Sequence, residues 1–404
     1  MRFGKKIICR IFQRTMHILI PFFPYREPKL LNGIEGIIDV LKDKNIQNIM
    51  LVSGKRIRAS GLTLSLEKLL EDNGILCTIY DGTLPNPTSE NVEEAKSLYL
   101  SNRCQGIVAF GGGSVMDCAK ALGAMIVRPK KSLKKMQGLI KIRKKLPLLI
   151  AIPTTAGSGS EATVAAVIVD SETHHKYVIS DFCLIPHYAV MLPSVTVGLP
   201  KHITATTGMD ALTHAVEVYV GRSKTRKSKK AAEEAVKLIF NNLVKAYNNG
   251  EDLEARKNML HASYLAGTAF TKSYVGYVHA VAHPLGGRYA VAHGLANAVL
   301  LPHVLRAYGA SVYKSLSHLA KVVGLVDENT NKKFAAEAFI AHIENLNNQM
   351  EIPTKLDCVC KIDIPEMAKL ADKEANPLYP VPVLWDAKEL EKLYLMICEE
   401  NKKI

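Results

Sequence analysis

The sequence predicts an α/β half built on a parallel sheet with helices on both faces, followed by an all-helical half. Up to about residue 153, short apolar runs alternate with helix-length amphipathic stretches, the pattern of successive strand–helix–strand units. From about Thr204 the strand-like runs stop and helix-period segments continue to the end of the chain. Two glycine-rich loops each follow an apolar strand in the first half, and the histidine motifs lie in the second.

In order, NIMLV (48–52) reads as a buried strand. ASGLTLSLEKLLEDNG reads as one helix ending at Gly74, ILCTIYDG as a strand and NVEEAKSLYLSN as a helix. GIVAF (106–110) is a strand, GGGS a tight turn, VMDCAKALGAMIV a helix and LPLLIAIP a further strand. Past a join near LPKHIT come the helices DALTHAVEVYV, AAEEAVKLIFNNLVKAYN, EARKNMLHASYLAGTAF, KFAAEAFIAHIENLN and AKELEKLYLMICEEN.

At 404 residues the chain can bury a large core and form two domains. Its net charge of +14 is concentrated in three patches: Arg2, Lys5, Lys6, Arg10 and Arg14; Lys130 to Lys145; and Arg222 to Lys230. No aromatic residue interleaves the last two, so nucleic acid is not an expected partner. Eight scattered cysteines without a CxxC pair suit free thiols in a reducing, cytoplasmic setting. Residues 1–23 lack the apolar length of a membrane span and the cleavage site of a secretory signal. They suit a helix docked on its own protein, in preference to a basic amphipathic helix lying on a membrane surface.

AFGGGSVMDCAK places Gly111 to Gly113 between a strand and a helix. Glycines allow close backbone approach, and free N–H groups at a helix start favour a pyrophosphate. Ser114 and Asp117 have capping-box spacing. A second loop, PTTAGSGSEAT, offers the hydroxyls of Thr154, Thr155 and Ser158. Two such loops after successive strands of one sheet point to a nucleotide site.

In TGMDALTHAVE, Asp210 and His214 stand four apart and share a helix face. YVHAVAHPLGGRYAVAHGLANA adds His279, His283 and His293. A lone histidine in an apolar helix is more often a satisfied core residue, but five such groups together suit a metal ion. One carboxylate and three imidazoles fit Zn²⁺ or Fe²⁺ with a position open for substrate. Spacing alone leaves open which of the late histidines are ligands.

GGGSVMDCAKA, PTTAGSGSEAT, TGMDALTHAVE, VHAVAHPLGG, AHGLANAVLLPHV and the late Asn376–Pro377 together resemble the iron-containing (group III) alcohol dehydrogenase family. The resemblance runs from about residue 29 to the C-terminus, with the motifs in the family's order. It implies a dehydroquinate-synthase-like architecture: a basic extension (1–28), an α/β dinucleotide-binding domain (29–200) and an all-α metal-binding domain (201–404), with the active site in the cleft between them. It also implies Asp210, His214, His279 and His293 as metal ligands, with His283 as proton relay beside the nicotinamide. Gly112, Gly113, Ser114 and Asp117 match the family's pyrophosphate and nicotinamide contacts. Thr154, Thr155 and Ser158 match its second cofactor loop, and Lys176 a cofactor-contacting lysine. Two departures stand out: PYREPKLLNGIEG replaces the family's opening strand and phenylalanine–glycine turn, and Leu192 stands where an aspartate often precedes the proline.

The implied reaction is reversible hydride transfer between an alcohol, or its aldehyde or ketone, and NAD(P), in an enzyme that is a homodimer. Alternatives are a metal-dependent lyase on the same scaffold that uses NAD transiently, and a non-catalytic binding protein recruited to membranes through residues 1–23. NAD-preferring members place an aspartate after the first strand, where it repels a 2′-phosphate. Here Ser53, Gly54, Lys55 and Arg56 follow NIMLV. Gly54 removes that charge, Ser53 offers a donor, and Lys55 or Arg56 can pair with a phosphate, so NADP(H) is favoured over NAD(H).

Overall fold

The computed structural model describes residue 1, residues 3–172 and residues 176–399. Arg2 of the basic patch lies outside the described residues. The chain opens with helix α1 (Phe3–Leu19) and forms two compact units. One is Pro24–Gly198; the other joins Met1–Phe23 to the chain from Leu199 onward. The basic extension, expected as a segment of its own, therefore groups with the helical half.

In the first unit a six-stranded sheet contains β1 (Lys29–Leu31), β2 (Asn48–Val52), β3 (Leu76–Tyr80), β4 (Gly106–Gly111), β6 (Leu148–Pro153) and β9 (Tyr188–Val190). Its order is β1-β9-β6-β4-β2-β3, and every pairing is parallel. Side chains alternate between faces with period two. Met50, Val52, Ile107 and Ala109 enter one buried cluster, while Ile49, Leu51, Val108 and Phe110 enter another. Both faces are thus covered, which is why these strands are apolar throughout. The covering helices are α2 (Glu35–Asp43), α3 (Lys55–Ala59), α4 (Leu64–Asp72), α5 (Ser89–Ser101) and α6 (Gly113–Val127), followed by the single turn α7 (Leu133–Met136).

Several local readings are corrected. The segment read as one helix from Ala59 to Gly74 holds the shorter helix α4, which starts only at Leu64, after α3 ends at Ala59 and the chain turns at Gly61 with φ +76°. The family's opening strand is present as β1, three residues long and held by β9. A small second sheet, β5 (Gly138–Leu139), β8 (Lys176–Ser180) and β7 (Ala165–Val169), in that order, has no counterpart in the sequence reading.

The second unit contains α8 (Lys201–Val220), α9 (Arg226–Asn248), α10 (Leu253–Ser273), α11 (Tyr277–Tyr289), α12 (His293–Tyr308), α13 (Ala310–Val322), α14 (Lys332–Gln349), α15 (Ile364–Ala375) and α16 (Ala387–Ile397). From Gly208 to Val220 every residue of α8 is buried. A Cβ on Gly208 would collide with Leu243, so glycine here sets how closely α9 approaches α8. α1 joins this unit through polar anchors. Arg10 donates to the carbonyls of Val381 and Pro382, both at 2.7 Å, and Gln13 to that of Tyr379 at 2.6 Å. The expectation of a helix docked on its own protein is met by these contacts. Among the described residues no helix is long and apolar enough to cross a membrane.

Candidate functional site

The α/β unit places its two glycine-rich loops side by side. β4 and β6 pair in register from Gly106↔Leu148 to Gly111↔Pro153, so the loops leave the carboxyl ends of adjacent parallel strands. A Cβ on Gly112 would lie 3.2 Å from the Thr155 hydroxyl, and one on Gly113 would lie 2.9 Å from that of Ser158. Glycine at both positions lets the loops touch. Gly112 caps α6 with no side-chain bond, and N–H groups at a helix start favour an anion.

Ser114 and Asp117 do not form the expected capping box. The helix begins two residues earlier than read, at Gly113, with Gly112 as its cap. Asp117 instead accepts from Ser160 Oγ at 3.1 Å and from the Val167 N–H at 3.2 Å, so one oxygen braces the second loop and the other strand β7. Burial pushes the Asp117 carboxyl up to about 6, against the pull of Lys120. Ser114 Oγ accepts from the Asn86 N–H at 3.3 Å, and Lys176 donates to Asn86 Oδ1 at 2.9 Å. The loop after β3 thus links Lys176 to the first glycine loop. Thr154 is buried, its N–H bonded to the Gly111 carbonyl at 3.1 Å.

Around Gly54 the structure places the four residues differently. Gly54 caps α3, and Lys55 and Arg56 are exposed. Ser53 is fully buried and gives its hydroxyl proton to the Phe110 carbonyl at 2.9 Å. It therefore has no donor for a phosphate, a correction to its expected role.

The helical unit gathers Asp210, His214, His279 and His293. One ligand atom from each lies within 4.8 Å of all the others. α8 supplies Asp210 and His214 from successive turns, α11 supplies His279, and His293 opens α12. A Cβ on Gly294 would collide with the Thr206 carbonyl, so only glycine lets the first turn of α12 rest on α8. Asp210 Oδ1 lies 3.4 Å from His293 Nε2 and 3.9 Å from His279 Nε2. Ligand atoms about 2.0–2.2 Å from one tetrahedral ion stand roughly 3.4 Å apart, so the donor set and its spacing fit a metal. The ring of His214 stacks between Phe270 (4.3 Å) and His279 (4.5 Å).

Two further residues define this cluster. Glu217 Oε2 lies 2.6 Å from His279 Nδ1 and also accepts from the Gly276 N–H at 2.8 Å, while Oε1 accepts from Val278 N–H at 2.7 Å. With Nδ1 donating to Glu217, Nε2 of His279 carries the free lone pair. Burial and the neighbouring histidines push the His279 pKa well below its usual value, which keeps the imidazole neutral, as a ligand must be. Asn297 Nδ2 stands 2.7 Å from Asp210 Oδ1, 3.1 Å from His293 Nε2 and 3.3 Å from His279 Nε2. Three ligand atoms therefore face one point.

His283 lies outside the four-residue group. Its Nδ1 is 2.7 Å from Glu374 Oε1, and its ring stacks 5.3 Å from that of His293. Glu374 also accepts from the Tyr379 hydroxyl at 2.7 Å. Burial pushes the Glu374 carboxyl up, but His283 and Tyr379 outweigh it and hold it below the usual range.

Comparison with known proteins bears directly on this arrangement. Residues 32–193 match the family model described as iron-containing alcohol dehydrogenase, and residues 204–397 match that of the Fe-containing alcohol dehydrogenase family, C-terminal. The chain belongs to the iron-containing alcohol dehydrogenase family. It is 37% identical over 385 residues to the 1,3-propanediol dehydrogenase of Citrobacter freundii, covering 94% of this chain and 98% of that one. A crystal structure of 1,3-propanediol oxidoreductase superposes with TM-score 0.88 at 34% identity, covering 92% of this chain and 99% of the other. The sulfoacetaldehyde reductase of Bifidobacterium kashiwanohense, solved in complex with NAD+, gives TM-score 0.81 at 27% identity over 93% of this chain and 98% of its own. The chain is accordingly an oxidoreductase of the alcohol dehydrogenase type, and its family implies iron and an NAD cofactor.

Sequence reasoning missed Glu217, Asn297, Glu374 and Lys120. Lys120 is fully buried, and its ammonium nitrogen has four acceptors within 3.0 Å for its three protons: Ser160 Oγ, Thr163 Oγ1 and the carbonyls of Thr163 and Ala165. A lysine inside a strongly apolar helix, in the DCAKA run, was the available signal.

Proposed function

We propose that the enzyme transfers a hydride reversibly between a small alcohol and NADP(H), using a divalent metal held by Asp210, His214, His279 and His293. What carries the reading is the convergence of four ligand atoms within 4.8 Å, with Glu217 fixing the tautomer of His279. The bound metal, Fe²⁺ by family or Zn²⁺ by donor chemistry, would supply Lewis acidity at the substrate oxygen, and the nicotinamide would supply the hydride chemistry.

The protein's own groups do the rest. The N–H groups at the start of α6 and the hydroxyls of Thr155 and Ser158 hold the pyrophosphate, with Lys176 beside them. Asp117 and Lys120 shape the second loop from behind. His283, oriented by Glu374 on Nδ1, presents Nε2 to take the alcohol proton and pass it to solvent. Lys55 and Arg56 pair with the 2′-phosphate, and Gly54 offers no repelling charge. Short alcohols and diols are the proposed substrates, because the Citrobacter relative is named for 1,3-propanediol. The eight free thiols support a cytoplasmic setting.

The test is a panel of short alcohols, diols and aldehydes with each cofactor, run on the parent and on His214→Ala alongside metal analysis. The parent should bind one metal per chain and turn over with NADP(H) in preference to NAD(H). His214→Ala should lose both activity and metal. Full activity with stoichiometric metal in that variant would sink the ligand assignment.

A further inference from the structure

We propose that α1 forms a docking face for an anionic lipid surface. The helix is attached in an inverted sense: its polar side faces the protein and its apolar side faces out. Cys9 and Gln13 are its buried residues, and Arg10, Gln13 and His17 bond to backbone carbonyls of the helical unit. Phe3, Ile7, Ile11, Ile18 and Phe22 follow steps of four and seven, so they line one face through the turn that continues the helix. Phe3 and Phe22 are 80% exposed, Ile11 62% and Ile18 60%. Ile8, Phe12 and Leu19 widen the stripe. Among the described residues, 8 of the 21 exposed large apolar side chains fall on these first turns, so the patch is not the ordinary scatter of a protein surface.

Charge decides which occupant suits this face. Arg14, three residues after Ile11, is exposed beside the stripe, while Lys5, three residues before Ile8, is paired with Asp372 at 3.1 Å. Lys6 adds to Arg14, Arg10 being turned to the carbonyls of Val381 and Pro382, and the first acidic residue in the chain is Glu27. A second copy of the same face would bring these cations against one another. Anionic headgroups would neutralise them while the apolar side chains enter the acyl boundary. The polar anchors keep the helix on the enzyme, so docking would hold the catalytic units at the membrane surface.

The experiment is flotation of the full-length, metal-loaded enzyme with vesicles of phosphatidylcholine alone or rich in phosphatidylglycerol. Binding is expected to the anionic vesicles only and should weaken as salt rises. The double variant Ile11→Glu, Ile18→Glu changes two exposed positions and should keep alcohol oxidation. Its bound fraction should fall at least roughly tenfold, as loss of two buried apolar side chains requires. Failure of the parent to float, or binding unaffected by the double variant, overturns the proposal. Self-association of the parent that the double variant abolishes, without vesicle binding, would assign the face to a second copy instead.

Discussion

Glu217→Gln tests the metal centre through a residue that touches no substrate. Glu217 accepts three hydrogen bonds, from Gly276 N–H, Val278 N–H and His279 Nδ1. Glutamine has the same shape but only one oxygen. If that oxygen faces Gly276 and His279, the amide NH₂ meets the Val278 N–H, and a buried donor loses its acceptor at a cost of about 1–3 kcal/mol. If the amide is reversed, its NH₂ faces His279 Nδ1, which must then accept. The ring proton moves to Nε2, and the nitrogen that faces Asp210 and Asn297 can no longer bind a metal. Either way the fold or the site loses. Removing such a partner of a metal-bound histidine costs roughly 10–100-fold in metal affinity, or about 1.4–2.7 kcal/mol. Competition with a calibrated chelator measures the affinity, and thermal unfolding of the metal-free protein measures the structural part. Metal affinity within twofold of the parent, together with unchanged thermal stability of the metal-free protein, would refute the argument.

His283→Ala should retain its metal and lose turnover on the order of 10²-fold, as single-turnover kinetics with metal analysis would establish; loss of metal would move His283 into the ligand set. Lys120→Met removes a buried ammonium, strands the acceptors around it and should cost about 2–4 kcal/mol of stability. It should weaken dinucleotide binding in a fluorescence titration while metal content stays at parent level; unchanged dinucleotide affinity would count against a loop-shaping role. Gly54→Asp should shift preference towards NAD(H). The site tolerates the change, since φ is −115° and a Cβ there meets only the Thr83 carbonyl, at 3.4 Å. A parent kcat/KM equal or better with NAD(H) would refute the NADP(H) preference.

The fold was legible where a physical period repeats. β2, β4 and β6 are buried on both faces, so each reads as a continuous apolar run. β1 and β9 have three residues each and draw their stability from pairing, which leaves little local signal. The capping-box reading of Ser114 and Asp117 failed for a related reason. Correct spacing cannot reveal that Ser160 and Val167, more than forty residues away, already hold the carboxylate. Glu217 was hidden in the same way: its partner His279 is 62 residues distant, and on α8 it reads as an ordinary helical glutamate. The histidines were legible because imidazole among alanine and valine needs an explanation.

The two proposed ligand sets fall in different compact units, with dinucleotide contacts in Pro24–Gly198 and metal ligands beyond Leu199. Each ligand should then reinforce directly the unit that binds it. A ligand present at a thousand times its dissociation constant adds about 4.1 kcal/mol to the unit that holds it. Chelation should speed amide exchange in α8, α11 and α12 and leave β4 and α6 protected, whereas removing dinucleotide should do the reverse. Occupancy of each proposed site should then be readable in the backbone amides of the unit that holds it.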